Sequence, residues 1–519
     1  MLFDMPLPRC LAPGTAVTGL ALALCLWGVS IVRAQDRALW EFEGHEDIGA
    51  PALAGSATYN AVSQEYRLSA AGVNMWGTQD QLHLVWKRLR GDFILRAEVR
   101  FLGAGTDPHR KAGVIVRRSL DSDSPYADAV VHGDGLTSLQ FRRAKGAETE
   151  EVRSKVTGAD VLQLERKGST IVASVARFGD LLKTSEVADL ALGEEVYVGI
   201  FLCSHNPEVV ERAVFRNVRL VRPAPADFVP YRDYIGSRLE ILDVASGHRQ
   251  VVHAASAPFE APNWTLDGSA LIYNTSGRAE GRGRLHRFDL ATRRSTVIDT
   301  GTSVRNNNDH VISFDGTMLG ISDQSAEGGQ SAIYTLPMGG GTPRRVTPLT
   351  PSYLHGWSPD GQFLVYTGGR DGEYDIYKIR SDGQGPEIRL TDYVGLDDGP
   401  EYAPDGEHIY FNSVRSGKMQ IWRMKPEGSD PEKVTDDGYN NWFPHLSPDG
   451  QWIAFISFPP EVDPSDHPYY KRVYLRLMPA GGGEAKVIAY VYGGQGTINV
   501  PSWSPDGTML AFVSNSAMD

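Results

Sequence analysis

From Trp264 onward, one hydrophobic–polar pattern recurs six times: an aromatic or aliphatic residue, a Ser-Pro-Asp-Gly turn or close variant, then an apolar strand. The copies are Trp264-Thr265-Leu266-Asp267-Gly268, Ile312-Ser313-Phe314-Asp315-Gly316, Trp357-Ser358-Pro359-Asp360-Gly361, Tyr402-Ala403-Pro404-Asp405-Gly406, Leu446-Ser447-Pro448-Asp449-Gly450 and Trp503-Ser504-Pro505-Asp506-Gly507. Proline pre-sets φ at the second turn position, the Asp side chain bonds back to nearby amides, and glycine supplies the φ > 0 corner. A strand–turn–strand unit repeating about every 45 residues predicts propeller blades. The last copy leaves room for only two strands, and an orphan strand pair precedes the first copy: Arg238-Leu-Glu-Ile-Leu-Asp-Val, then Arg249-Gln-Val-Val-His. Pairing this orphan with the last copy closes a ring of six blades and removes its free sheet edges.

Between Asp36 and Val221 the repeat is absent, but apolar and polar residues still alternate. Phe93-Ile-Leu-Arg-Ala-Glu-Val-Arg-Phe, Gly113-Val-Ile-Val-Arg and Val196-Tyr-Val-Gly-Ile-Phe are examples. Short alternating strands broken by Gly and Asp turns predict a two-sheet sandwich. The prolines of 222–230 make an extended linker. The chain is thus all-β: a sandwich over 36–221, then a propeller over 231–519.

Two resemblances follow. The Trp-Ser-Pro-Asp-Gly turn, the six copies and the closing strand pair resemble the propeller of the TolB family over roughly Tyr231 to Asn515. Trp40-Glu-Phe-Glu-Gly, Gly91-Asp92-Phe93 and Ala213-Val-Phe-Arg-Asn-Val-Arg-Leu resemble the concanavalin A-like jelly rolls attached to secreted carbohydrate-active proteins. The jelly-roll likeness implies a secreted or periplasmic carbohydrate-binding protein, the reading favoured here, and the TolB likeness implies envelope docking as the alternative. The TolB family carries a small α/β domain before its propeller, where this chain carries a sandwich.

Residues 1–34 read as a secretory signal: Arg9, an apolar stretch from Ala16 to Val32, and Val32-Arg33-Ala34 as the cleavage site. A retained anchor is the alternative. Cleavage would place the protein in the periplasm or outside the cell, with no membrane span. It would also remove Cys10 and Cys25, leaving Cys203 without a disulfide partner. The formal charge of −13 argues against nucleic acid or an anionic membrane as partner. No Gly-x-Ser-x-Gly elbow is present, which argues against a propeller-bearing peptidase.

In blades of this type the strand entering the turn is innermost, so its residues face the axial funnel. Those segments are Asn306-Asn-Asn-Asp-His310, Tyr353-Leu-His355, Leu396-Asp-Asp398-Gly-Pro-Glu401, Tyr439-Asn-Asn-Trp-Phe-Pro-His445 and Gly494-Gln495-Gly-Thr-Ile-Asn499. His310, His355 and His445 are the candidate ligands of a divalent metal, similar in kind to oligogalacturonate lyases. His310, His355, Asp398 and Glu401 are the candidate acid–base groups for glycan lysis or hydrolysis. Asn308, Tyr353, Asn440, Asn441, Trp442 and Gln495 are candidate substrate contacts. His310 and His355 both lie five residues before their turn Asp, whereas His445 lies four before and faces the other way on a regular strand. The competing reading makes the histidines backbone-bonded channel lining, the Asp residues turn formers and Trp442 a core ring.

Overall fold

The structure is a computed structural model that describes residues 39–275 and 283–518. The expected signal segment, with Cys10 and Cys25, lies outside the described residues. Among the described residues no helix is long and apolar enough to cross a membrane. The N-terminal part is two seven-stranded antiparallel sheets. Alternation decides what faces between them: in Lys111–Arg117, Ala112, Val114 and Val116 join one core with Leu95, Leu164 and Phe215 of the other sheet. Lys111, Ile115 and Arg117 take the opposite face. Cys203 is buried there beside Ile115 and Phe201, and burial pushes its thiol up to about 11.

The propeller has six blades. Five are four-stranded sheets, and their inner strands in chain order are Phe259–Trp264, Asn306–Ile312, Ser352–Trp357, Asp397–Tyr402 and Asn440–Leu446. The sixth joins both ends of the propeller segment. Gly236–Asp243 pairs with Met509–Ser516 on one side and with Arg249–Ala255 on the other, and a Trp503–Leu510 bridge extends the sheet inward. The expected ring closure is therefore present.

The turn chemistry recurs with small changes. Ser358 Oγ donates to Asp360 Oδ1 at 2.5 Å, the Phe363 amide donates to Ser358 Oγ at 2.9 Å, and Gly361 has φ +70. Equivalent hydroxyl–carboxylate bonds hold Thr265–Asp267, Ser313–Asp315, Ser447–Asp449 and Ser504–Asp506. Ala403 lacks the hydroxyl, and its turn keeps the Glu407 amide on Asp405 Oδ1 and the Gly406 amide on the Ala403 carbonyl.

The sandwich packs against the closing blade through buried charge. Glu240, on Gly236–Asp243, accepts from Arg219 Nη2 at 2.7 Å and from Ser514 Oγ at 2.5 Å, and Arg249 lies 3.6 Å away. Burial pushes this carboxyl up, but Arg219 and Arg249 more than reverse that and hold it at about 2. Gln64 exchanges two bonds with Val251 of the same blade, and the sandwich also reaches the neighbouring fifth blade, where Arg96 bonds the Tyr490 carbonyl and Glu165 pairs with Arg472. Arg219→Ala would leave a buried carboxylate facing only Arg249 and should cost about 3 kcal/mol in urea denaturation. A cost under about 0.5 kcal/mol would mean that water reaches Glu240.

Candidate functional site

The inner strands are irregular at their entry ends, and those irregularities build the site. In the fourth blade Asp398 opposes Asn412 and Glu401 opposes Tyr410, so Gly399 and Pro400 share one partner position. The first and fifth blades skip in the same place, between Glu260 and Asn263 and between Trp442 and His445. The residue at the skip is left-handed in each: Ala261 at φ +56, Gly399 at +60 and Phe443 at +54. A bulge of this kind re-aims the preceding side chain. Seven residues before the turn Asp stand Glu260, Asn308, Tyr353, Asp398, Trp442 and Asn499. All of these except Trp442 line one axial cavity of about 1180 Å³.

At its floor Asp398 Oδ1 lies 3.4 Å from His355 Nε2 and accepts from Thr367 Oγ1 at 2.6 Å and the Gly399 amide at 2.8 Å. His467 Nε2 stands 3.9 Å from Asp398 Oδ2, its ring packed edge-on against Trp442 and Phe443. Glu260 accepts from Tyr469 Oη at 2.9 Å and Asn274 Nδ2 at 3.2 Å. Asp309 is also buried in the lining.

The two aspartates are driven apart. Burial raises the Asp309 carboxyl to about 7, aided by the charges of Asp398 and Glu260 and opposed by His355. Burial also acts to raise Asp398, but the His355 bond and charge, with His467 and Thr367, bring it down to about 2. His355 is raised: desolvation opposes its charge, and Asp398 and Asp309 outweigh that. A proton-holding carboxyl beside an ionised one is an acid–base arrangement, and it is equally an acceptor-rich floor.

Of the residues anticipated at the funnel, His355, Asp398, Asn308, Tyr353 and Gln495 line the cavity, and six others do not. His310 is ladder-paired with Ile321, fully buried, with Nε2 3.4 Å from the Ile272 carbonyl of the first blade. His355 is instead the extra residue between Leu354 and Gly356. That one-residue bulge breaks the equivalence implied by counting back from the turn. His445 bonds Glu401 Oε2 at 2.6 Å and the Ile498 carbonyl at 2.7 Å, and Glu401 also accepts the Leu446 amide at 3.0 Å. This pair staples three blades together. The three histidines therefore do not converge, and among the described residues no group of three His, Cys, Asp or Glu side chains is placed to hold a metal ion. Asn440 and Asn441 bond within the fifth blade and its surroundings, to the Val462 carbonyl and to Gln420, Asp437 and Ser457. Trp442 is a fully buried core ring.

Sequence reasoning missed Glu260, Thr367, His467 and Tyr469 as lining residues, and it placed Asp309 in a funnel-facing segment without singling out its carboxyl. A count of seven from each turn Asp would have found Glu260. His467 and Tyr469 sit in the fifth blade's link between Trp452–Phe458 and Lys471–Pro479, which no other repeat matches in sequence.

The signs of the pH dependence follow. Asp309 binds its proton more tightly folded than unfolded, so its contribution becomes unfavourable as pH rises from 3.8 through about 7. Asp398 stabilises above 3.8 and loses this as pH falls toward about 2. His355 stabilises below 6.5 and loses this as pH rises through its higher folded value. Asp309→Asn should therefore raise stability at pH 8, by on the order of 2 kcal/mol, and change it little at pH 4. Equal effects in urea titrations at the two pH values would contradict this. His445→Ala should instead cost about 2–4 kcal/mol by stranding the Glu401 carboxylate. Unchanged denaturation would show that Glu401 needs no partner.

Residues 350–462 match the family model described as the TolB beta propeller domain. An uncharacterised protein of Agrobacterium fabrum is 47% identical over 278 residues, 53% of this chain and 92% of that protein. A solved structure from Agrobacterium tumefaciens, provisionally named a TolB, is 45% identical, covers 55% of this chain and 100% of its own, and has a TM-score of 0.52. TolB from Acinetobacter baumannii is 16% identical over 64% of this chain and 79% of its own, with a TM-score of 0.40. With that Agrobacterium tumefaciens structure covered over its whole length at 45% identity and the TolB propeller model matched, the chain belongs to the TolB-like β-propeller family.

Proposed function

We propose that this is an exported docking protein of the cell envelope whose axial cavity receives a segment of a partner protein. The reading includes cleavage of 1–34 and a periplasmic location, and it takes the sandwich as a concanavalin A-like module fixed beside the ring. One observation carries it. The connections that enter the inner strands of three consecutive blades expose Val304, Leu349, Tyr393 and Val394 to solvent, and Val304, with Tyr374 of the third blade, also lines the cavity. Val394 is 80% exposed. Apolar side chains exposed on consecutive connections beside a polar funnel mark an interaction surface rather than scattered exposure.

A second reading rests on the tyrosines. Tyr231, Tyr234, Tyr353, Tyr374 and Tyr469 line the cavity, and their faces suit the C–H side of a pyranose. In that case Asp309 and Asp398 with His355 are the acid–base set for an oligosaccharide.

Photo-crosslinking from position 393 in the native envelope separates the two. Docking predicts one discrete protein adduct that Val394→Glu removes and that a crosslinker on the sandwich at position 62 does not form. Absence of any adduct, together with saturable binding of acidic or neutral oligosaccharides lost in Asp398→Asn, would instead establish the glycan reading.

A further inference from the structure

We propose that a second pocket, at the turn end of the inner strands and so opposite the axial cavity, binds a neutral sugar of monosaccharide size through one of its hydroxyl groups. The pocket lies between the turns of the fourth and fifth blades and holds about 360 Å³. The inference is independent of the docking reading and starts from the one turn that breaks the repeat. In the other five turns Thr265, Ser313, Ser358, Ser447 or Ser504 sets a hydroxyl between two groups. It donates to the turn Asp Oδ1 at 2.5–2.6 Å and accepts the amide five residues further on at 2.9–3.1 Å. Ala403 has only a methyl at this place. Its amide still donates to the His408 carbonyl at 2.9 Å, as in the other turns, so the His408 N–H faces that methyl. Asp405 Oδ1 accepts the Glu407 amide at 2.9 Å and, among the described residues, no hydroxyl. Ala403, Asp405 and His408 all line the pocket.

An acceptor and a donor thus flank one point on the pocket wall, and the group that completes them must donate to the first and accept from the second. A hydroxyl does both. An ammonium or a guanidinium cannot accept, and an ionised carboxylate cannot donate. A metal ion cannot accept either, and among the described residues no three ligating side chains are grouped for one. The rest of the lining suits the rest of a sugar. Pro404 and Pro448 offer apolar ring faces to C–H groups, and the Gln451 amide can donate and accept. Burial, with the charges of Lys425 and Arg423, lowers the His408 imidazole, so at neutral pH it accepts as well as donates. The volume sits at the small end for ligand pockets, which begin near about 300 Å³.

Saturation-transfer NMR of the full protein with D-glucose, D-galactose, D-mannose and N-acetyl-D-glucosamine tests this, in the parent and in Ala403→Ser. The variant gives the turn the hydroxyl that four of its counterparts carry on serine. The expected result is saturable binding of at least one sugar by the parent, weakened about tenfold or more in Ala403→Ser. The melting temperature of the variant should rise, because the turn is then completed from within. Ala403→Thr, the residue type found at position 265, serves if Ala403→Ser does not fold. No saturable binding by the parent would mean that solvent alone serves this turn, and would overturn the proposal. Binding unchanged in a folded variant would put the sugar elsewhere, the axial cavity included, and would overturn it while leaving the readings of that cavity untouched. A melting temperature that does not rise would show that Asp405 and His408 do not flank a hydroxyl-sized point, which overturns it as well.

Discussion

Eight consecutive backbone pairings between Gly236–Asp243 and Met509–Ser516 hold the two ends of the propeller segment together. Every other feature depends on them. Each blade leans on its neighbours, so the position of one inner strand is fixed only when the circle is complete. The axial cavity is the space those inner strands leave. Glu240 lies in the middle of the closing seam and is also the residue that the sandwich grips through Arg219. The sandwich is thereby tied to the one joint whose failure would open the ring, and its buried ion pair is effective because removing either partner strands the other.

Buried charge serves two purposes in this molecule. In Glu401–His445, Asp397–Arg415 and Glu240–Arg219 the oxygens have partners at hydrogen-bond distance, and the pairs tie strands or blades together. At the cavity floor the balance differs: Asp309 is raised by burial and by neighbouring carboxylates, while amide oxygens nearby stay unpartnered. A fold that needed these groups only for stability would be better served by apolar replacements. Incompletely compensated buried polar groups of this kind cluster at functional sites, which makes the floor the candidate one here.

The blade repeat and its closure were readable from the sequence because turn geometry restricts residue choice so tightly. Pro, Asp and Gly recur at fixed offsets, and even Ala403 stands out as the copy lacking a hydroxyl. The location of the funnel on the inner strands was equally readable. Individual residues were harder, because a strand's side-chain direction reverses with each inserted residue. One extra residue at His355 sends it inward, while His310, at the same distance from its turn, goes into the packing between blades. Trp442 follows the same left-handed bulge pattern as Glu260 and Asp398, yet its ring packs into the core against Phe443 and His467 instead of lining the cavity. Asp309 was hidden by its neighbour: the imidazole drew attention, but the carboxyl before it carries the perturbed proton.

Native-state hydrogen exchange on the full chain tests most directly whether closure is the master constraint. The account predicts that amides of Leu239 to Leu242 exchange only with global unfolding, as slowly as those of Trp452–Phe458 in the interior of the fifth blade. Denaturant should shift both sets by the same slope. Exchange of the closing strands through a separate, lower-energy opening, with Trp452–Phe458 still protected, would contradict it. The cavity would then be held by the individual blades and not by the closed ring.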